Sequence, residues 1–316
     1  MVSTARHTCA GGGGIVGPKH ILVVSHTART EAIKATQLTV ATCDAAGVTV
    51  VMAAADQKAF AEYLPANSVK TLGKDIALAQ IDIALVLGGD GTILRAAELV
   101  HGSECAIVGV NLGHVGFLAE LEHQELTAAL TQVLAGNFVV EERSTLAVQV
   151  FDGDKLVTET FAVNEATVEK NNRMIEVALG VDGRPLTGFG CDGVVIATAT
   201  GSTAYAFSAG GPVLWPGVAA TLVVPLAAHA LFNRPLVLGP QQVVETRLVT
   251  ANSSDAALWC DGRRKFTVQP GQRVVVQQSA EKLRLARLHE GIFTDRLVNK
   301  FNLPVTGWRE AMRHDR

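Results

Sequence analysis

Short apolar runs and amphipathic stretches alternate along the first part of the chain. Residues 20–25 (HILVVS) are apolar and rich in β-branched side chains, the pattern of a strand buried on both faces. Residues 30–46 carry helix formers, and Gly47 stands where such a helix would end. Further strands are predicted at 48–52, 81–87 and 106–110, and helices at 92–101 and 124–135. The last of these puts Leu126, Ala129, Leu130, Val133 and Leu134 on one face, with Gly136 at its end. Strands alternating with helices imply a parallel sheet covered on both sides.

After Asn137 the pattern changes. Strands are predicted at 146–151, 155–163, 173–181, 193–198, 243–249, 256–259 and 273–278. Asp152-Gly153 and Asp182-Gly183 lie between such runs as hairpin turns. The expected architecture is therefore an α/β domain followed by a mostly antiparallel β domain, with a boundary near 140–145. In full, the division is a leader at 1–18, an α/β domain at 19–142, a β-rich domain at 143–290 and a tail at 291–316. The tail holds an amphipathic helix at 293–301, with Phe293, Leu297, Val298 and Phe301 on one stripe, and is expected to pack back on the first domain.

Composition narrows the function classes. Of 316 residues, 48% are hydrophobic and 18% charged, a balance that supports a core and argues against global disorder. The net charge of −3 offers no concentrated basic surface, so no nucleic-acid partner is expected. Arg263, Arg264 and Lys265 form a local basic cluster, read as a solvated turn, although a phosphate-rich substrate would also suit it. The five cysteines are odd in number and scattered, which fits a reducing cytoplasm and inert packing. The N-terminal residues, with glycines at 11–14, lack the apolar core of a signal peptide and read as a disordered leader. Residues 213–232 are largely apolar, but Pro216, Gly217, Pro225 and His229 interrupt them. A buried β segment with a turn explains them better than a membrane helix.

Gly88-Gly89-Asp90-Gly91-Thr92 follows a predicted strand and opens a helix. Glycines there let backbone N–H groups approach an anion, and the helix N-terminus adds positive potential. A carboxylate beside a polyphosphate is repulsive unless it holds a cation or takes a proton from the attacking hydroxyl. Both roles belong to phosphoryl transfer. The plainer reading is a turn whose Asp90 caps the helix. The motif is neither the dinucleotide fingerprint G-x-G-x-x-G nor a Walker loop.

This turn resembles the diphosphate-binding motif shared by NAD kinases, phosphofructokinases and diacylglycerol kinases. Asn111-Leu112-Gly113-His114-Val115-Gly116-Phe117-Leu118 resembles the N-x-G-x-x-G-F-L segment of NAD kinases. It also reads as a structural turn with Phe117 and Leu118 as core anchors. Asn164-Glu165 matches the pair with which that family holds bound dinucleotide; alone, it would read as a solvated strand end. Thr198-Ala199-Thr200-Gly201-Ser202-Thr203-Ala204-Tyr205 resembles the family's T-P-x-G-S/T-T-A-Y signature, with Ala199 in place of the usual proline. Small hydroxyl residues around a glycine suit phosphate and ribose, and Tyr205 can stack on a base or donate its hydroxyl. Asp192 matches a dinucleotide-contacting aspartate. His229 and Arg234-Pro235 resemble an H-x-L-x-x-R-P segment, with a hydrogen-bonded core histidine as the even alternative for His229. Asp261-Gly262 matches a family turn and is read as structural. Trp215, Trp259 and Trp308 are read as packing.

The resemblance implies the NAD kinase-like fold, with a Rossmann-like N-terminal domain. It implies phosphoryl transfer from ATP, or from inorganic polyphosphate, to the adenosine 2′-hydroxyl of NAD, giving NADP with Mg²⁺. It places the ribose between the domains, held by Asn164, Glu165, Asp192, Thr203 and Tyr205. Thr200, Ala204 and His229 complete the binding set, and Gly88, Gly89, Gly91 and Thr92 face the donor phosphates. Asp90 is the catalytic residue. A cytoplasmic homodimer or homotetramer without membrane contact is implied as well. Two rivals share part of the pattern: a lipid kinase of the diacylglycerol type and a non-catalytic NAD(P)-binding sensor. The lipid kinase leaves Asn164-Glu165 and the 198–205 signature unexplained, and the sensor leaves Asp90 unexplained.

Overall fold

The computed structural model describes residues 17–112, 116–119, 121–122, 125–249, 254–289 and 293–305. The chain divides into two compact units, 1–142 with 284–316, and 143–283.

In the first unit, β1 (His20–Ser25), β2 (Thr49–Met52), β3 (Val69–Thr71), β4 (Ile83–Leu87) and β5 (Ala106–Asn111) are parallel. Their order is β3-β2-β1-β4-β5, and the two-residue β6 (Leu121–Glu122) adds to β5. The helices are α1 (Thr30–Ala45), α2 (Ala54–Phe60), α3 (Asp90–Val100) and α4 (Leu126–Leu134). Ile21, Val23, Ile83, Leu85, Val108 and Val110 pack with Leu130 and Val133 in one apolar cluster. Burial of both strand faces is why these strands are continuous apolar runs. The α2 and β3 elements are too short for periodicity to reveal them. The strand order reverses between β1 and β4, whose C-terminal ends lie together with Ser25 opposite Leu87. Such a switch point leaves a crevice at the strand ends, the place where α/β sheets take ligands. Arg95 of α3 ties this end together, bonding the buried Asp56 of α2 (2.5 Å) and the Ser25 carbonyl (2.7 Å).

The second unit is built from two sheets. One has β7 (Val139–Asp152) and β8 (Lys155–Ala162) as a hairpin, with β10 (Ile175–Val181), β11 (Arg184–Cys191), β15 (Val244–Leu248) and β18 (Arg273–Arg287). The other runs β14-β13-β12-β9-β16-β17 and is antiparallel throughout. Its strands are β9 (Glu165–Lys170), β12 (Gly193–Thr198), β13 (Thr221–Leu226), β14 (Leu236–Leu238), β16 (Ala256–Cys260) and β17 (Arg264–Val268). Val148, Val177, Val244 and Val276 from one sheet and Val168, Val194, Ile196 and Leu258 from the other share a core. On the far face of the second sheet, Val195, Ala197, Leu222 and Val224 are covered by Ala206 of α5 (Tyr205–Ser208). Asp182 and Gly183 both have positive φ, as a tight hairpin turn requires.

Within 213–232 the strand is Thr221–Leu226, and Leu231 and Phe232 beyond it are exposed. Among the described residues no helix is long and apolar enough to cross a membrane. The expected leader lies outside the described residues except for Gly17 and Pro18.

Candidate functional site

The 88–92 turn begins where β4 ends, at the switch point. α3 starts at Asp90, so the positive end of its dipole and the N–H groups of its first turn lie in this turn. The glycines differ in their roles. A Cβ at Gly88 would collide with the Thr92 hydroxyl, whereas Cβ atoms at Gly89 and Gly91 would meet nothing. Gly88 is therefore needed by the fold, and Gly89 and Gly91 leave the backbone open to an incoming group.

Asp90 does not cap its own helix. Its Oδ2 accepts from the Phe117 N–H (3.0 Å) and its Oδ1 from the Leu118 N–H (3.1 Å). The second glycine motif thus serves the first: a Cβ at Gly116 would collide with Asp90 Oδ1. Leu118 is buried. Phe117 packs on Phe293 and Phe301 of the C-terminal helix (centroids 6.0 and 5.8 Å), and Arg296 bonds its carbonyl at 2.7 Å. Residues 113–115 lie outside the described residues.

In the second unit, Asn164 immediately precedes β9, a central strand that Glu165 opens. They are buried, not the solvated strand end that the dipeptide alone suggests. Asp261 holds them in place. Its carboxylate accepts from the Val163 N–H (2.9 and 3.0 Å), the Asn164 N–H (2.7 Å) and Arg264 (2.8 Å), and its own N–H donates to the Glu165 carbonyl (2.9 Å). Arg264 also stacks on Phe161, 4.1 Å from the ring centroid, so this member of the basic cluster is structural rather than a solvated charge. Burial pushes the Glu165 carboxyl up to about 8, helped by the neighbouring Asp261 charge.

The 198–205 signature divides into support and presentation. Thr198 donates from its hydroxyl to the Val163 carbonyl (2.7 Å) and accepts from the Gly201 N–H (3.0 Å). Ser202 donates to the Ala199 carbonyl (2.7 Å) and accepts from the Leu214 N–H (2.9 Å). A Cβ at Gly201 would collide with the Asn164 carbonyl, so the loop rests directly on Asn164. Thr200 is buried; Thr203 and Ala204 are partly exposed; Tyr205 is 41% exposed and is no core aromatic.

Tyr205 and Glu169 line two adjoining cavities. One, about 410 Å³, is walled by Glu165, Thr167, Glu169, Tyr205, Trp259 and Gly262. The other, about 340 Å³, includes Lys170, Asp192, Ser208 and Leu226. Burial together with the Glu169 charge pushes the Tyr205 hydroxyl up to about 12. Asp192 is paired with Lys170 at 2.5 Å. Glu169, Lys170 and Trp259 escaped the sequence reading. The signal was there: Glu165, Thr167 and Glu169 alternate with Ala166 and Val168, so one face of a strand is polar. Trp259 stands opposite Thr167 in register, with Lys265 over its ring at 5.2 Å, so it is a cavity wall as well as packing.

His229 is exposed rather than a core histidine. Its N–H bonds the Gly190 carbonyl (2.8 Å), and its side chain lines neither cavity. Trp215 is exposed, and Trp308 and Cys9 lie outside the described residues. Cys43, Cys105, Cys191 and Cys260 are free and buried, and burial pushes their thiols up to between about 11 and about 12, which suits inert packing.

Comparison with known proteins gives a consistent result. The model of the ATP-NAD kinase N-terminal domain matches residues 20–138, and that of the ATP-NAD kinase C-terminal domain matches 163–288. An NAD kinase of Leifsonia xyli subsp. xyli is 52% identical over 294 residues, 92% of this chain and 97% of that one. An NAD kinase of Thermobifida fusca is 48% identical over 310 residues, 94% of each chain. The crystal structure of yeast NADH kinase complexed with NADH has a TM-score of 0.81 at 20% identity, covering 92% of this chain and 89% of that one. At that identity the likeness is one of fold.

Proposed function

The chain belongs to the NAD kinase family, and from that premise we propose how its residues divide the work of moving a phosphoryl group onto NAD to give NADP. The observation that carries the reading is the Asp90 carboxylate, held by two backbone N–H groups at the head of α3. Two amides orient both oxygens and still leave lone pairs for a reacting hydroxyl. Asp90 takes the proton of the adenosine 2′-hydroxyl, or fixes that hydroxyl for in-line attack on the donor. The backbone at Gly88, Gly89, Gly91 and Thr92 receives the phosphates of ATP or polyphosphate.

Asn164, Glu165, Asp192, Thr203, Ala204 and Tyr205 hold the dinucleotide. Tyr205 offers its exposed ring to a base. Thr200 supports Thr203, whose hydroxyl reaches the Thr200 carbonyl (3.3 Å). His229 is exposed and lines neither cavity, so its part in holding the dinucleotide rests on the family resemblance alone.

Mg²⁺ fits as a cation carried with the donor. No three metal-ligating side chains come together among the described residues, and Mg²⁺ is commonly held by one or two carboxylates plus substrate phosphates. Asp90 is the carboxylate that would contribute. The ion's part would be to neutralise charge on the phosphates. A cytoplasmic location is supported by the four buried free thiols. A homodimer or homotetramer is supported by the exposed Leu231, Phe232, Trp215 and Val237, which are apolar surface a second copy would cover.

NADP formation from NAD, with ATP and polyphosphate supplied separately, tests the reading. Product with either donor names that donor. A folded protein that makes none with either would overturn the catalytic assignment.

A further inference from the structure

β9 alternates, so Glu165, Thr167 and Glu169 point into one cavity while Ala166 and Val168 join the core. Glu165 is only 6% exposed, and its Oε2 is buried without a hydrogen-bond partner. Of the groups acting on its carboxyl, the Tyr205 backbone N–H alone draws it back down. A buried carboxylate needs several donors to stay ionised, and Glu165 has too few.

Its neighbour has them. Asp261 takes the Val163 and Asn164 amides and the Arg264 guanidinium. Burial pushes both carboxyls up, but the donors around Asp261 draw its carboxyl back down, so of the two it carries the charge first and Glu165 keeps its proton longer. We propose that Glu165 meets the dinucleotide as a neutral carboxylic acid, with Oε2 donating a hydrogen bond to an acceptor atom of the bound ligand. NAD offers such atoms in its adenine ring nitrogens and its carboxamide oxygen. The inference rests on the dinucleotide reading above, and it inverts the role a glutamate is usually given there. An ionised Glu165 would accept from a ribose hydroxyl or the adenine amine.

The groups around Glu165 are consistent with this. Glu169 on its own strand and Asp261 on the β16–β17 turn oppose a further negative charge, while Arg264 is already engaged by Asp261. Cys260 of β16 and Tyr205 are pushed up to about 12, so neither loses its proton near pH 8. Lys265 on β17 lies over the Trp259 ring, and Asp192, just before β12, is paired with Lys170. Glu165, pushed up to about 8, changes charge in that window.

The two roles give opposite signs. A donor that loses its proton weakens binding as pH rises, whereas an acceptor that gains charge strengthens it. NAD affinity of the full chain is measured by calorimetry from about pH 6.5 to about pH 9.5. Wild-type affinity should hold to near neutrality and then fall by about tenfold per pH unit above the Glu165 titration. Glu165→Gln keeps a neutral donor in place, so its curve should stay flat where the wild type falls. Glu165→Ala should bind several-fold more weakly at neutral pH. A wild-type affinity that is flat or rises with pH, or a step that persists in Glu165→Gln, overturns the proposal.

Infrared difference spectra of wild type minus Glu165→Gln, without ligand, add an independent readout. A carboxylic-acid C=O band at neutral pH supports the neutral acid, and its absence overturns it. A chain that shows this band yet binds no NAD at any pH overturns the dinucleotide reading, and the donor role falls with it.

Discussion

Two turns, 88–92 in the first unit and 198–205 in the second, are both built mostly of small residues, yet they are held in different ways. In the first, Gly89 and Gly91 have empty space where a Cβ would be, and the polar side chain that matters, Asp90, is held from outside by the amides of Phe117 and Leu118. That turn offers its backbone. In the second, Thr198 and Ser202 spend their hydroxyls on neighbouring backbone groups, and Gly201 is pressed against Asn164. That turn uses its signature residues to build a rigid base and presents Thr203, Ala204 and Tyr205 on it. A run of small residues can therefore mean an open cradle or a closed scaffold, and only the surroundings tell which.

Asp90→Asn puts the first half of that contrast to its hardest test. It removes the charge and leaves an acceptor oxygen for only one of the two amides, so turnover should fall by roughly 10²–10⁴-fold in a chain that still folds, as circular dichroism would check. Near-normal NADP formation would mean the orientation of this carboxylate serves structure alone.

The glycines separate the two turns directly. Gly201→Ala forces a Cβ into the Asn164 carbonyl and should cost about 2–3 kcal/mol of stability, read by urea unfolding. Gly89→Ala meets nothing and has an ordinary φ of −86°, so stability should stay within about 0.5 kcal/mol while the KM for ATP rises about tenfold. Equal stability losses at both positions would erase the distinction.

Ser202→Ala leaves the Leu214 N–H without its acceptor and should cost about 1–3 kcal/mol. A loss confined to NAD affinity, with unfolding unchanged, would instead make Ser202 a ligand contact. The smallest effect is a gain. Ala199 has φ −59°, which a proline ring adopts without strain, and it follows a residue at the end of a strand. Ala199→Pro should therefore stabilise by about 0.4–1 kcal/mol through the unfolded chain, seen as a raised Tm.

The alternation of buried strands and helices in the first unit is legible in the chain because each element is long enough to show its period. The same holds for β12, whose six residues are all buried. The short α2 and β3 are not, and neither is β9, where Glu165, Thr167 and Glu169 hide a strand behind polar letters. Reading β9 as a two-residue period would have identified Glu169 beforehand. Nothing in the order of residues would have identified Trp259, because its place depends on which strand pairs with β9.

The sequence by itself determined the fold class, the glycine turn at the end of β4 and the residues of the signature, since these depend on local period and local backbone freedom. Tertiary structure alone decided how each of those residues is held. Asp90 owes its orientation to amides 27 and 28 positions further on. The Glu165 carboxyl, pushed up first by its burial, is pushed further by Asp261, a residue 97 positions from the Asn164 amide it holds. Charge state and hydrogen-bond satisfaction are set by the groups within a few ångströms, and the chain brings those groups together only when it folds.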